Sequence, residues 1–298
     1  MTFVIALANA DQIIQLSDRR LSWHGKTNDD SSNKAGHAVC DDVSFLYSFT
    51  GLAKIGSHET STWLLDAFYD AAQKGHGYSD ITDAFAEEAT SYFHSNSDIR
   101  RLSAGDRRLT VMLTGYTKNG LIVNSMISNF QDFLKAKDYL VAQNQFNVHT
   151  IVSNCSVAKN PTLIQVIGQT NEFTNQHKAE FRQMLTQRAP AEAICQKGVA
   201  LIQKIATLLG VNGTIGGKIN TARLLQSDPL NALAGYASDV VGNSIHIIDK
   251  VNLQTGAPKA FIANLQFTGV SPVVFPRVHR NALCPCGSGL KYRFCHRR

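Results

Sequence analysis

The N-terminal stretch of the chain restricts its fold most strongly, because it contains two short apolar runs separated by a turn. Phe3 to Ala8 and Gln12 to Leu16 flank the turn-prone Asn9-Ala10-Asp11, and this pattern predicts a β-hairpin. The hairpin places the hydroxyl of Thr2 at the open end of its first strand. If Met1 is removed, Thr2 also carries a free α-amine. Such an amine has a pKa of about 7.7 to 8.0, so part of it is neutral at pH 7 and can serve as general base for its own hydroxyl.

Two charged residues follow at positions that suit this nucleophile. Asp18 ends the second strand, which returns toward Thr2, and Lys34 follows a polar loop. The separations of Thr2, Asp18 and Lys34 resemble those of the proteasome β-subunit family of N-terminal nucleophile hydrolases, which includes bacterial HslV. The resemblance implies that Thr2 attacks, that Lys34 supports the deprotonated oxygen and that Asp18 orients Lys34. The simpler alternative is that Asp18 pairs with Arg19 or Arg20 and that Lys34 is solvated.

A third element of the resemblance follows the predicted strand Val43 to Phe49. This strand ends in Thr50-Gly51-Leu52-Ala53, and a similar glycine in the family offers its backbone N–H to the oxyanion. The resemblance therefore implies that Gly51 is the oxyanion donor. The alternative is that Gly51 only serves a turn at the start of a helix.

The family's proton-relay residues are not matched. The predicted helix Pro190 to Gly210 and the loop Asn212 to Gly217 resemble the family's last long helix and its two-glycine loop. In that alignment Asn212 replaces the usual aspartate, Ile215 lies near a serine position, and Gly168-Gln169 stands where an earlier serine would be.

A second alignment places the family's aspartate at Asp239, within Ser238 to Ser244, ahead of a predicted strand Ile245 to Ile248. It makes residues 218–236 an insertion. Both alignments remain open at the level of the sequence, and so does a relative that has lost catalysis.

The remaining pattern predicts alternating strands and helices. Apolar spacings of three and four residues predict amphipathic helices, and apolar runs beside turn residues predict strands. The helices are expected at Glu59–Gln73, Tyr78–Phe93 and within Asn171–Leu209, and the strands at Leu109–Thr117, Leu121–Ile127, His149–Cys155 and Thr162–Gly168. This order predicts an α+β fold, a four-layer αββα sandwich like that of N-terminal nucleophile hydrolases, over residues 1–267.

The C-terminus carries a metal-binding pattern. Cys284, Cys286, Cys295 and His296 lie within thirteen positions, around a Cys-Pro-Cys-Gly-Ser-Gly turn. Three thiolates and one imidazole form a closed tetrahedral Zn²⁺ site, which is typical of a structural zinc. The run resembles the SEC-C motif, the zinc-binding tail of the SecA translocase and of many other bacterial proteins. We expect a small zinc-binding module at 280–298, after a proline-containing linker at 268–279, and the resemblance implies that it binds a protein or ribosomal partner.

Charge and composition restrict the class of protein to which the chain can belong. Seven of the 29 basic residues and none of the 23 acidic residues lie in 251–298, so the basic character belongs to the tail, and binding of nucleic acid by the body is disfavoured. No apolar run is long enough for a membrane helix. The opening lacks the pattern of a signal peptide, and the cysteine pattern suits metal binding rather than a disulfide framework. These features favour a cytoplasmic protein.

Together these patterns give one leading functional hypothesis and one alternative. The leading hypothesis is a threonine hydrolase of peptide or amide bonds, activated by removal of Met1 and recruited through the zinc tail. The resemblance leaves a homo-oligomer open, because members of that family form rings. The alternative is an inactive adaptor that keeps the fold and acts through the tail.

Overall fold

The computed structural model describes residues 2–23, 26–29, 32–135, 137–153, 161–169, 171–210, 213–237, 248–255, 261–264 and 281. The strands in these ranges are β1 (Phe3–Ala8), β2 (Gln12–Asp18), β3 (Leu21–Trp23), β4 (Lys26–Asp29), β5 (Ala35–Val39), β6 (Val43–Gly51), β7 (Lys54–Ile55), β8 (His58–Glu59), β9 (Leu109–Thr117), β10 (Ile122–Ser128), β11 (Gln131–Asp132), β12 (Lys137–Asp138), β13 (Asn147–Ser153), β14 (Leu163–Gly168), β15 (Ile219–Leu225), β16 (Asp228–Ala237), β17 (Ile248–Asn252) and β18 (Phe261–Asn264). The helices are α1 (Thr60–Ala72), α2 (Tyr78–Ser95), α3 (Ser97–Arg100), α4 (Asn175–Thr186) and α5 (Ala191–Leu209).

The predicted N-terminal hairpin lies at the centre of a five-stranded sheet. Its strand order is β14-β1-β2-β15-β16, and all neighbouring strands are antiparallel. Every residue of β1 and β2 is buried, because one face of this sheet packs on helices and the other on a second sheet. A strand covered on both faces needs an almost continuous apolar run, and Phe3–Ala8 provides one.

The second sheet has seven strands in the order β13-β10-β9-β6-β5-β17-β18. Its members are antiparallel except for β17, which runs parallel to β5. Strand β6 lies at its centre, between β9 and β5. Its residues alternate between two faces, as expected for a strand. Phe45, Tyr47 and Phe49 face the helices α1 and α2, whereas Leu46 faces the five-stranded sheet.

Helices cover the outer face of each sheet. The aromatic rings of Phe68 on α1 and Phe85 on α2 stack at 4.6 Å, and Phe68 meets the ring of Phe45 on β6 edge-on at 5.9 Å. On the other side, Ile194 and Ile202 of α5 pack with Leu16 of β2, and α4 adds to the same cluster. Both clusters fit the apolar spacing of the helices.

The two sheets face each other across a second apolar layer. Val4 and Ala6 of β1 pack with Met112 of β9 and Met126 of β10. The Tyr116 hydroxyl of β9 donates a hydrogen bond of 2.7 Å to the Asn9 carbonyl in the β1–β2 turn. The chain therefore has a mixed α+β fold with two stacked sheets flanked by helices, as the order of predicted elements suggested.

The structure confirms the predicted strands and helices that lie in the described ranges, with shifts of a few residues at their ends. Residues 218–236 are a correction to the second alignment. They contain β15, which pairs with β2 over seven residues and places Ile219 opposite Asp18. The segment thus forms β15 and most of β16, which extend the sheet from β2, and it is not a peripheral insertion. Asp239 and most of the predicted strand Ile245–Ile248 lie outside the described residues, as do the linker and, apart from Asn281, the tail.

Candidate functional site

Lys34 and Thr2 are in direct contact inside the protein. The Lys34 Nζ donates a hydrogen bond of 2.5 Å to the Thr2 Oγ1 and another of 2.5 Å to the Arg20 carbonyl. Lys34 is 1% exposed and Thr2 is 4% exposed. A buried ammonium is costly unless it is paired and hydrogen-bonded. The ammonium group therefore places its positive charge directly beside the hydroxyl oxygen of Thr2.

Asp18 is the counter-charge of Lys34. Its Oδ2 lies 3.7 Å from the Lys34 Nζ, and the aspartate is fully buried at the end of β2. The carboxylate accepts backbone N–H groups from Phe3 at 2.7 Å, Arg20 at 3.0 Å and Gly216 at 3.3 Å. Burial raises the pKa of Asp18, while the charge of Lys34 and these three N–H groups act in the opposite direction. The three donors fix the orientation of the carboxylate toward Lys34.

The loop with two glycines lies against the same carboxylate. Besides the N–H of Gly216 on Asp18, the Arg20 Nη1 donates a hydrogen bond of 3.1 Å to the Gly213 carbonyl. This placement agrees with the first alignment, in which the loop after α5 belongs to the site. Asn212, its counterpart of the family's aspartate, lies outside the described residues. Ile215 is fully buried in the cluster under α5, where an apolar side chain fits and a serine would lose packing.

Thr50 is a site residue that the sequence did not single out. Its Oγ1 accepts a hydrogen bond of 3.1 Å from the Thr2 backbone nitrogen and donates one of 3.1 Å to the Thr2 carbonyl. Thr50 is fully buried on β6. A buried threonine in a strand has no local sequence signal, so only the packing of the two sheets reveals this contact.

Gly168 and Gln169, which the first alignment places where the family has its earlier serine, lie beside the backbone of Thr2. The Gln169 N–H donates a hydrogen bond of 3.1 Å to the Thr2 carbonyl, and the Thr214 hydroxyl donates one of 2.5 Å to the Gln169 Oε1. Gly168 has φ +90°, and a Cβ there would lie 1.8 Å from the Thr2 carbonyl oxygen. Only glycine fits so close to the Thr2 carbonyl, so position 168 cannot carry a serine side chain, and Gln169 contacts Thr2 through its backbone N–H.

Gly51 ends β6 and directly follows Thr50. It has φ +107°, and a Cβ there would lie 2.1 Å from the carbonyl oxygen of Arg108. The next N–H, of Leu52, donates a hydrogen bond of 2.7 Å to the same carbonyl. The backbone thus requires glycine at this position. Its predicted role as oxyanion donor stays a prediction.

A directed hydrogen-bond chain holds the carbonyl of Leu52, the residue after Gly51. The Thr60 hydroxyl donates to the Leu52 carbonyl at 2.7 Å, so it can only accept from the His58 Nε2 at 2.9 Å. His58 must then carry its proton on Nε2, and its Nδ1, 3.1 Å from the Tyr92 hydroxyl, accepts from it. Burial lowers the pKa of His58 to about 4, which keeps the neutral form that this chain requires.

Solved structures of other proteins share the overall fold of this chain. The Anbu complex from Pseudomonas aeruginosa, solved as a helical assembly, matches with a TM-score of 0.51 and 12% identity, over 80% of this chain and 87% of that chain. The chain has the proteasome-like N-terminal nucleophile hydrolase fold of Anbu. Anbu (ancestral β-subunit) from Yersinia bercovieri gives a TM-score of 0.49 at 11% identity, over 78% of this chain and 86% of that chain. The eukaryotic HslV from Trypanosoma brucei gives 0.40 at 16%, over 75% and 99%.

The tail has its own family match. The SEC-C motif matches residues 280–298, the range expected from the cysteines and the histidine. Cys284, Cys286, Cys295 and His296 themselves lie outside the described residues. Their donor set, three soft thiolates and one imidazole, fits tetrahedral Zn²⁺. The described part of the chain contains no other group of three or more His, Cys, Asp or Glu residues that could hold a metal.

Among the described residues, no helix combines the length and hydropathy needed to cross a bilayer. The longest helix, α5, has one buried apolar face and one exposed polar face.

Proposed function

We propose that the protein is an N-terminal threonine hydrolase of peptide or amide bonds that becomes active when Met1 is removed. The observation that carries the proposal is the buried Lys34 Nζ, 2.5 Å from the Thr2 Oγ1 and paired with a buried Asp18. Packing a lysine onto a threonine hydroxyl has no evident benefit for stability, since the ammonium loses its hydration. It does lower the cost of forming an alkoxide.

The proposed reaction gives each of these groups a role. The Thr2 hydroxyl attacks the substrate carbonyl, and its proton moves to the Thr2 amine. Lys34 stabilises the negative charge on the attacking oxygen, Asp18 holds Lys34, and the Gly51 N–H stabilises the oxyanion. The amine then gives its proton to the leaving nitrogen, which leaves an ester on Thr2. Water, deprotonated by the same amine, attacks that ester. The amine returns this proton to the departing Thr2 oxygen, which releases the acid and restores the Thr2 hydroxyl.

The tail supplies attachment in this proposal. Cys284, Cys286, Cys295 and His296 hold a structural zinc, which folds the module at 280–298 because so short a segment has no core of its own. The linker at 268–279 separates it from the catalytic body at 1–267, and its partner is a protein or a ribosomal surface. A tail fused to an inert carrier should capture the same partner as the whole protein, and a chelator should abolish capture. Equal capture by the body alone would remove the tail from this role.

Self-association is a further part of the proposal. The fold neighbour from Pseudomonas aeruginosa was solved as a helical assembly, and the edge strand β13 exposes Ile151 and Val152. An exposed apolar edge strand is a usual site for pairing with another chain. A homo-oligomer would cover it, and analytical ultracentrifugation of the intact protein would detect the assembly.

The second candidate function is an adaptor that retains the fold without catalysis. It is favoured by one observation: the first alignment places Gly168 and Gln169 at the family's earlier serine, and position 168 has no room for a side chain. In that case the contact between Lys34 and Thr2 would be a remnant of ancestry, and the zinc tail would carry the whole function.

Mass spectrometry and covalent labelling distinguish the two candidates. The hydrolase predicts an intact mass without Met1 and covalent modification of Thr2 by threonine-directed β-lactones and epoxyketones. Thr2→Ala should abolish labelling. Lys34→Met should abolish it as well, whereas Lys54→Met, which removes an exposed lysine paired with Glu59, should leave it unchanged. A chain with Met1 removed that resists several classes of electrophile and leaves amide substrates intact would favour the adaptor.

A further inference from the structure

Thr50 contacts both backbone polar atoms of Thr2. Its hydroxyl has one hydrogen, and the geometry directs it to the Thr2 carbonyl at 3.1 Å. The Thr50 oxygen therefore has no hydrogen left for the Thr2 nitrogen, which also lies at 3.1 Å, and it can only accept a hydrogen bond from that nitrogen. Among the described residues, Thr50 alone accepts a hydrogen bond from that nitrogen.

We infer that Thr50 is the positioning residue for the catalytic α-amine. This inference rests on the proposed threonine hydrolase. Once Met1 is removed, the nitrogen that now donates to Thr50 becomes the amine. One N–H directed at the Thr50 oxygen stops rotation of the amine about its bond to the α-carbon. The amine then holds a fixed orientation relative to its own hydroxyl, as a general base requires.

Neighbouring backbone groups hold the Thr2 carbonyl in place and leave room for the Thr50 hydroxyl. The N–H of Gln169 binds the Thr2 carbonyl at 3.1 Å from the other side. A Cβ on Gly168 would lie 2.9 Å from the Thr50 Oγ1 as well as 1.8 Å from the Thr2 carbonyl oxygen. The absence of a side chain at 168 therefore gives room for the Thr50 hydroxyl. The residue that replaces the serine in sequence thus leaves space for a hydroxyl supplied by another strand.

The proton transfers of the proposed reaction are consistent with this role of Thr50. When the amine takes the proton of the Thr2 hydroxyl, it becomes an ammonium with three N–H bonds. The Thr50 oxygen accepts one of them throughout, and the ammonium gives the transferred proton to the leaving nitrogen. Thr50 neither gains nor loses a proton over the cycle. An acceptor next to the ammonium favours the charged form of the amine, so removing it should lower the pKa of the amine.

Thr50→Val is the informative substitution because it keeps the β-branched shape in the strand and removes only the hydroxyl. The Thr2 carbonyl keeps its hydrogen bond from Gln169 and is not left without a partner. Thr110→Val is the matched control. Thr110 is the cross-strand neighbour of Thr50 on β9, equally buried, but its hydroxyl bonds Ser128 at 2.6 Å.

The test measures β-lactone labelling of the full chain as a function of pH. We expect Thr50→Val to lower the plateau rate by about tenfold or more and to move the acidic limb of the profile down by about one pH unit. Thr50→Ser, which restores the hydroxyl, should return both values toward those of the natural protein. Thr110→Val should change neither. A Thr50→Val profile equal to that of the natural chain, or the same change in Thr110→Val, would overturn the inference.

A second measurement does not depend on activity. Removal of a cleavable leader exposes Thr2 whether or not Met1 is naturally removed, and the NMR shift of the Thr2 methyl group reports the pKa of its amine. A lower pKa in Thr50→Val than in Thr110→Val supports the role of Thr50 even if the natural chain resists every electrophile, which would count only against the hydrolase. Equal values reject it. If Thr50→Val does not fold, Thr50→Ala makes the same comparison without adding an apolar methyl group.

Discussion

The carboxylate of Asp18 accepts a hydrogen bond from the backbone N–H of Gly216, which lies 198 residues further along the chain. The contact links the end of the N-terminal hairpin to the loop after the last long helix, and the site exists only where these two segments meet. The same carboxylate holds the buried ammonium of Lys34. Changes at Asp18 should therefore affect both the fold and the chemistry.

Asp18→Asn should destabilise the protein and reduce labelling of Thr2. The substitution leaves the buried Lys34 without its counter-charge and turns an amide group toward backbone N–H donors, and breaking a buried pair in this way costs about 3 to 5 kcal/mol. Chemical denaturation gives the free energy of unfolding, and β-lactone labelling gives the rate. Asp132→Asn is the control, because Asp132 pairs with Lys135 at the surface, where such pairs contribute little. Equal stability of the two variants would contradict the role of Asp18.

The stability of the fold should decrease as the pH falls from about 6.5 toward 3, and His37 is one cause. The Ser44 hydroxyl donates to the Pro229 carbonyl, so the His37 Nε2 donates to Ser44 at 2.8 Å, and its buried Nδ1 has no partner in the described structure. Burial, with a smaller effect of Lys250, lowers the pKa of His37 from 6.5 to about 3. The unfolded chain therefore binds a proton over this range that the folded chain does not.

His37→Gln should flatten this pH dependence, since glutamine can still donate to Ser44 but does not titrate. The effect is on the order of a few kcal/mol at the acid end of the range. Asp18 acts in the opposite sense, because a raised pKa in the folded state favours folding as the pH falls. Denaturation at a series of pH values measures the slope. His94→Gln, at an exposed position on α2, should leave it unchanged, and a slope for His37→Gln equal to that of the natural protein would exclude His37 as a cause.

The protein should carry one zinc ion per chain. Four ligands from Cys284, Cys286, Cys295 and His296 leave no open position, so the metal should resist exchange until a ligand is lost. Elemental analysis should find no zinc in a chain that ends at Phe275, or in Cys295→Ser. Cys195→Ser should retain it, because Cys195 is buried in α5, far along the chain from the tail. Zinc that stays with the truncated body would place the site elsewhere.

The sequence predicts the site best where the signal lies in spacing. Thr2, Asp18 and Lys34 are brought together as predicted, because a hairpin followed by a strand fixes their separation. Their catalytic roles stay predictions. Strand β1 was also predicted with its observed bounds, since a strand buried on both faces is a continuous apolar run.

The sequence is least informative where tertiary contacts decide. Strand β5 was missed because Gly36 is a poor strand residue. It is needed there because a Cβ would lie 2.1 Å from the ring of Tyr47 on β6. Thr50 was missed because its hydrogen-bond partner, Thr2, is brought to it only by the packing of the two sheets. The contact of Thr214 with Gln169 joins two loops, and no local pattern specifies it.

Two effects require glycine at position 51, the left-handed backbone conformation and the lack of space for a Cβ, and two substitutions separate them. Gly51→Ala should destabilise the fold strongly and abolish labelling. A Cβ at 51 would lie 2.1 Å from the Arg108 carbonyl oxygen, and moving that carbonyl would also disturb its hydrogen bond from Leu52. Gly120→Ala is the matched control. Gly120 also has a left-handed φ, of +75°, but a Cβ there would meet only the flexible side-chain end of Gln226 at 3.1 Å.

The control should lose about 1 to 2 kcal/mol, the usual cost of a left-handed alanine, and keep its labelling rate. Gly51→Ala should lose clearly more in chemical denaturation, because the clash with a backbone carbonyl adds to the same strain. If Gly51→Ala folds as stably as Gly120→Ala and still reacts with β-lactones at the natural rate, then position 51 neither needs glycine nor holds the oxyanion. If it folds but reacts slowly, the loss lies in the displaced N–H, which is the outcome expected for an oxyanion donor.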